Sequence, residues 1–237
     1  MFPPMWYSPT NSGCFVHKNN VKKMRKTKQE CRQTRQALLD AALDLFYSKG
    51  VTKATLNDIA REAKVTRGAL YWHFTNKEDL LQTLSAQFIE ADRVRLESAL
   101  GAPEVWERLR ETLKTVFHEI QENENRRKFT CIMFQLIGMH DPDSILRPVL
   151  IDYQNMWESY ISRALQEARS QGTIPANRDL QWASLQITAS FTGLIKMLIG
   201  PSDNDHVAPY VDQIIDVTMN LIIHAPVECI EKKFSEQ

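Results

Sequence analysis

The chain carries almost none of the residue patterns that catalysis uses. Its 237 residues contain no GxSxG, no HExxH, no glycine-rich phosphate loop and no pair of carboxylates set on a helix for acid–base work. His118, His140 and His224 stand alone, and an isolated helical histidine is ordinarily structural. Cys14, Cys31, Cys131 and Cys229 form no CxxC pair and no Cys/His spacing of a zinc site, so thiol-redox and zinc-finger functions fall away. Scattered thiols in a long helical chain fit a reducing cytosol, where a cysteine is most often a small buried hydrophobe. No apolar run reaches the ~18 residues of a membrane span. The stretch from Trp182 to Ile199 comes nearest, but Gln186, Thr188, Ser190, Thr192 and Lys196 interrupt it, which makes it a core helix. The expectation is therefore a non-enzymatic, cytoplasmic protein with no cofactor, no metal and no membrane partner.

There is no net charge either, but the zero conceals a division. Residues 22–80 carry 13 Lys and Arg against 7 Asp and Glu, whereas residues 81–237 carry 15 against 22. A basic front on an acidic body implies that one end meets a polyanion. Strand alternation and internal repeats are also missing. From Gln33 onward apolar residues recur at i, i+3 and i+4, as in Ala37, Leu38, Ala41, Ala42, Leu45 and Phe46 before Gly50. Thr55, Thr66 and Asn76 each open a helix as side-chain caps. Further helices are expected at about 104–123, 126–138, 144–171, 178–199 and 206–224, with breaks at Gly101-Ala102-Pro103, Gly172-Thr173-Ile174-Pro175 and Gly200-Pro201. The fold class is all-α, about nine helices: an N-terminal three-helix helix-turn-helix domain and a C-terminal helical domain, to which the resemblance stated below assigns ligand binding and dimerisation.

The divisions follow. Residues 1–23 show no period and read as a disordered arm or as translated leader ahead of a start at Met24. Residues 24–80 form the DNA-binding domain, 81–225 the body, and 226–237 a tail. The strongest signal is TLNDIAREAKVTRGALYWHFTNKEDLL, residues 55–81. A helix of about eight residues, a tight connection at Ala63–Thr66 and a helix of about seven are the lengths of a helix-turn-helix, whose second helix enters the major groove. Thr66, Arg67 and Gly68 lead that helix without core residues. Arg67 can donate two bonds to guanine O6 and N7, and Gly68 removes a side chain where backbone approaches phosphate. Tyr71, Trp72 and His73 have polar tips suited to phosphate oxygens, while Phe74 is core. Lys77 stands in the first turn of the next helix, where N–H groups favour an anion. Ahead lie Arg25, Lys26, Lys28, Arg32 and Arg35, either a solvated helix face or an arm following the phosphates.

Residues 25–81, and above all Arg25-Lys26-Thr27-Lys28 and Thr66-Arg67-Gly68-Ala69-Leu70-Tyr71-Trp72-His73-Phe74, resemble the DNA-binding domain of TetR-family repressors of the AcrR-type branch, whose members typically repress multidrug efflux genes. The resemblance places a family-like start at Met24 and implies that Thr55, Thr66, Arg67, Tyr71, His73 and Lys77 contact DNA. It also implies a homodimer on a palindromic operator, released by a small hydrophobic effector. The last two helices would pair: one stripe holds Ala183, Ile187, Ser190, Phe191, Leu194 and Leu198, the other Val211, Ile214, Ile215, Thr218, Leu221 and Ile222, with Ala189 and Gly193 allowing close approach. Trp106, Phe117, Met133, Phe134, Met139, Gln154, Trp157 and Phe191 are the candidate effector pocket, being aromatic or adaptable. One departure stands out. The branch often carries Lys-Cys-Glu late in its sixth helix, but here Phe134-Gln135-Leu136-Ile137-Gly138-Met139-His140 holds no acid before Asp141. A neutral or anionic effector fits at least as well as a cationic dye. A metabolic regulator sensing a lipid or acyl compound, a ligand-free architectural DNA binder with a solid core over 104–200, and an all-helical enzyme are the alternatives.

Overall fold

The computed structural model describes residues 21–137, 147–200 and 206–225, with side chains from residue 27 onward. Among the described residues there are nine α-helices and no strand: α1 Val21–Lys49, α2 Leu56–Glu62, α3 Arg67–His73, α4 Lys77–Ala99, α5 Val105–Glu122, α6 Glu124–Ile137, α7 Arg147–Ser170, α8 Leu180–Ile199 and α9 Val211–His224. No helix among them is long and apolar enough to cross a membrane. The expected arm at 1–23 falls largely outside the described residues, as does the tail 226–237.

Three boundaries fall where capping chemistry puts them. Thr55 accepts the Asp58 N–H at 3.1 Å, Thr66 the Ala69 N–H at 3.2 Å, and Asn76 the Asp79 N–H at 2.8 Å. The first helix is longer than its apolar period, running 29 residues from Val21. Lys, Arg and Gln are good helix formers that leave no hydrophobic pattern, so the basic segment continues the rod instead of forming a separate arm. The last helix starts later than expected, because Pro209 sits in a tight turn over Ala208–Tyr210 before Val211 begins the α-helix.

The helices enclose two hydrophobic cores. One joins Leu38, Phe46, Ile59, Leu70, Phe74 and Leu84 of α1–α4 with Phe129, Ile132, Met133 and Leu136 of α6. The other joins Leu96 at the far end of α4 with apolar residues of α5, α7, α8 and α9. Packing therefore does not divide at residue 80, since α6 belongs with the N-terminal helices. In the first core the Phe88 and Phe129 rings stack at 4.3 Å. One turn on, Arg126 donates two bonds to Asp92 at 2.9 and 2.7 Å, with both side chains buried. The Tyr153 hydroxyl reaches the same carboxylate at 3.4 Å. Burial and the adjacent carboxylate push that phenol up to about 12.

Candidate nucleic-acid interface

The turn between α2 and α3 is a close-fitting helix stop. Lys64 N–H donates to Arg61 O at 3.1 Å and Val65 N–H to Ala60 O at 3.0 Å, with Lys64 left-handed at φ +56°. These two bonds satisfy the last carbonyls of α2 and aim the chain into α3. Ahead of the turn, the Thr55 hydroxyl donates to Asp58 at 2.9 Å and holds that carboxyl below its ordinary range, helped by Lys49 and Arg61.

In α3 the core side is Leu70, closed by Phe74 just beyond the helix, both at most 1 % exposed. The opposite side presents Arg67, Gly68, Tyr71 and Trp72, and Trp72 is 64 % exposed. The indole thus stands on the side of α3 that the core leaves free, beside the exposed Tyr71. The Arg67 guanidinium lies 5.4 Å from the Tyr71 ring centroid, so the ring steadies the donor fork. A Cβ added at Gly68 would meet nothing nearer than Thr66 Oγ1 at 4.0 Å. No packing demand within the chain explains this helical glycine, which costs roughly 1 kcal/mol against alanine. His73 is half-buried, edge-on to Trp72 at 4.6 Å. Burial, then Arg35, holds its imidazole below the usual 6.5.

Two basic residues are turned to other work. Lys77, expected on a phosphate, donates its ammonium to the carbonyls of Val51, Thr52 and Ala54 at 2.8, 3.1 and 3.3 Å. The loop after α1 leaves those acceptors without helical partners, and three N–H donors on one flexible stem satisfy them together. Arg35 lies 5.2 Å over the Phe74 ring and reaches Thr83 at 3.4 Å, tying α1 to α4. Lys28 and Arg32 are exposed on α1. Arg25 and Lys26 belong to the same helix, their side chains outside the described residues.

The expected pairing stripe needs correction. Ile187, Phe191, Leu194, Leu198, Thr218 and Ile222 are each at most 5 % exposed, inside the chain's own core. Ile214 is half-buried, and of that list Leu221 alone is exposed. Both helices are apolar on more than one side, and α5 and α7 claim the stripe that has the stronger period. The free face is the opposite one: Leu185, Ala189, Gly193 and Met197 at four-residue intervals on α8, and Val217 with Leu221 on α9. Leu185 and Val217 are 64 % and 61 % exposed.

The candidate pocket residues do not form one wall. Trp106, Phe117 and Phe191 are buried in the second core, with Trp157 packed against it. Phe117 and Phe191 meet edge-to-face at 5.6 Å. The Trp106 indole N–H is buried there without a partner among the described residues. Met133 belongs instead to the first core. Phe134 borders a shallow depression of about 370 Å³ against the Lys49–Lys53 loop. Gln154 faces solvent, and Met139 lies outside the described residues.

Residues 38–84 match the family model described as bacterial regulatory proteins, tetR family. The chain is 34 % identical to the HTH-type transcriptional regulator SrpR of Pseudomonas putida over 72 % of its own length and 78 % of that protein's. It is 29 % identical to the HTH-type transcriptional regulator TtgR of the same species, over 86 % of this chain and 98 % of that one. Among solved structures, SmeT, the repressor of the Stenotrophomonas maltophilia multidrug efflux pump SmeDEF, superposes with a TM-score of 0.69 at 26 % identity, covering 82 % of this chain and 94 % of that one. SmeT has also been solved in complex with triclosan, and that structure superposes equally well at 27 % identity.

Proposed function

The chain belongs to the tetR family of bacterial regulatory proteins, and from that membership we propose that it is a homodimeric cytoplasmic repressor of a multidrug efflux operon, released from a palindromic operator by a small apolar effector. The observation that carries the DNA half is the exposed side of α3. Arg67 steadied on Tyr71, a glycine open to its surroundings and an exposed Trp72 share the helix face that the core does not use. In this reading Arg67 reads a base pair, while Thr55, Thr66, Tyr71, Trp72 and His73 meet phosphates at the edge of the groove. Lys28, with Arg25 and Lys26, adds salt-sensitive attraction from α1.

Two copies pair through the free face of α8 and α9, where Ala189 and Gly193 let backbones approach between Leu185 and Met197. Pairing sets the two recognition helices one DNA turn apart, ~34–36 Å. The effector enters the core around Trp106, Phe117, Trp157 and Phe191. These side chains pack closed as described, so binding must part them, and α4 carries the displacement to the N-terminal helices. Trp106 offers a ready donor there. A neutral or anionic hydrophobic compound suits this lining, where Trp106, Phe117, Trp157 and Phe191 are aromatic and the Trp106 N–H is a donor. Coupling of ~1–3 kcal/mol would give a ~5–150-fold release, and the operator must weaken the effector by the same factor.

The test selects an operator from a randomised duplex library with the purified protein, then titrates hydrophobic compounds against the complex. A two-fold symmetric consensus and reciprocal weakening are expected. Failure to enrich any sequence would sink the repressor reading; ligands that bind but leave operator affinity untouched would sink the sensor.

A further inference from the structure

Four described residues with left-handed backbone follow the C-termini of helices: Gly50 after α1, Lys64 after α2, Gly101 after α4 and Gly172 after α7. At three of these stops the chain uses glycine, the residue for which a positive φ carries no Cβ penalty. At the fourth, at φ +56°, it uses lysine. A β-carbon in that region is strained, and lysine lacks the short side-chain oxygen with which Asn or Asp relieves the strain locally. Among the described residues the two backbone bonds that close this turn offset part of the strain, but they would form equally with glycine there. Lys64 is exposed, and its ammonium has no hydrogen bond or ion pair among the described residues. The Asp58 carboxylate of α2 is engaged by Thr55, Arg61 and Lys49.

The location supplies what the intramolecular contacts do not. Lys64 stands two residues before Thr66, the cap of α3, at the end of that helix which also holds Arg67 and Gly68. Lys64, Thr66, Arg67 and Gly68 are all exposed, so this end of α3 is open to an outside partner. We propose that Lys64 is a DNA-positioning residue: its ammonium binds a backbone phosphate beside the N-terminus of the recognition helix, and the turn keeps a strained residue because glycine would forfeit that contact. The proposal rests on α3 being the recognition helix. It assigns a backbone contact to a residue whose position would otherwise call only for glycine.

The two roles of the position pull in opposite directions, which makes the test sharp. Lys64→Gly relieves the strain and should raise the melting temperature by about 2–4 °C. The same change should weaken binding roughly 3–10-fold on the library-selected duplex and on a random duplex alike, and reduce the slope of log affinity against log salt by ~1.8, the value for one phosphate from each of the two protomers. Lys64→Arg should keep the affinity and the slope without the thermal gain. A melting temperature that falls, or an unchanged affinity and salt slope in Lys64→Gly, overturns the proposal. Arg67→Ala in the same titration separates the two levels: if it loses affinity while Lys64→Gly does not, the Lys64 proposal alone fails. If neither variant changes binding, the assignment of α3 fails with it.

Discussion

Replacing Arg126 by methionine should destabilise the fold by about 3–5 kcal/mol, the usual cost of orphaning a buried charge. Asp92 has no solvent exposure and Arg126 is 3 % exposed, so neither can turn to water. Without the guanidinium, Asp92 keeps one long bond from Tyr153 at 3.4 Å and Arg95 at 3.8 Å. Burial already raises the Asp92 carboxyl above its usual 3.8, with Arg126 opposing the rise. Losing Arg126 drives it higher. A folded pKa above the unfolded one means that the native state binds the extra proton, so this variant should gain stability as pH falls and lose it as pH rises. Asp92→Asn should cost a similar amount by stranding the cation, with no such slope. The double variant Asp92→Leu/Arg126→Met should lie near the parent or above it, because an apolar pair of similar volume needs no counter-charge. At ~2–4 °C per kcal/mol for a chain of this size, each single variant should melt on the order of 10 °C lower. Urea unfolding at pH 5 and pH 7, at fixed protomer concentration because association adds to stability, gives the numbers. Single variants within about 1 kcal/mol of the parent, or a double variant as unstable as both singles summed, would refute a buried interdependent pair.

Arg67→Ala should relax selection at one base position of each half-site, at ~1–3 kcal/mol per bidentate contact, read by competition among single-base operator variants. Lys77→Ala should first lower the melting temperature, because three loop carbonyls lose their donor; weaker binding should then be alike on all duplexes, and a change in base preference would contradict this. Met197→Asp with Val217→Asp should give a helical monomer by light scattering, whereas a persistent dimer would move the interface elsewhere. With His73 held below 6.5, the stability it contributes is full above that pH and is lost as pH falls through the lower folded value. His73→Gln should flatten this part of the stability curve, and an identical curve would remove the imidazole from the balance.

Local chemistry was legible along the chain; long-range choices were not. Thr55, Thr66 and Asn76 act within three residues of themselves, so their caps could be read directly, and with them the lengths of α2 and α3. Phe74 is readable as core because its ring, unlike those of Tyr71, Trp72 and His73 before it, has no polar tip. On α8 that logic had no purchase. Apolar residues line both sides, and nothing local says that Ile187 and Phe191 face α5 and α7 while Leu185 and Met197 face outward. Lys77 shows the same limit: its place in the first turn of α4 is local, but the carbonyls that hold its ammonium lie 23–26 residues earlier. Asp92 and Arg126 are 34 residues apart, and no pattern marks them as partners. The strain at Lys64 has no sequence signal, since a lysine there gives no hint until its φ is known.

The placement of α6 bears on whether this protein can be handled in pieces. Its Phe129, Ile132, Met133 and Leu136 complete the core under the helix-turn-helix, although they follow it by some fifty residues. A fragment cut after residue 80 would leave that core open to water, with Phe46, Phe74 and Leu80 losing part of their cover. Such a headpiece should be sticky and poorly folded instead of a portable cassette. Grafting it onto another sensor would succeed only if the recipient's sixth helix presented matching side chains. The same dependence would hold for a gene fusion that trades the first eighty codons alone, which would need a compatible α6 to close the core.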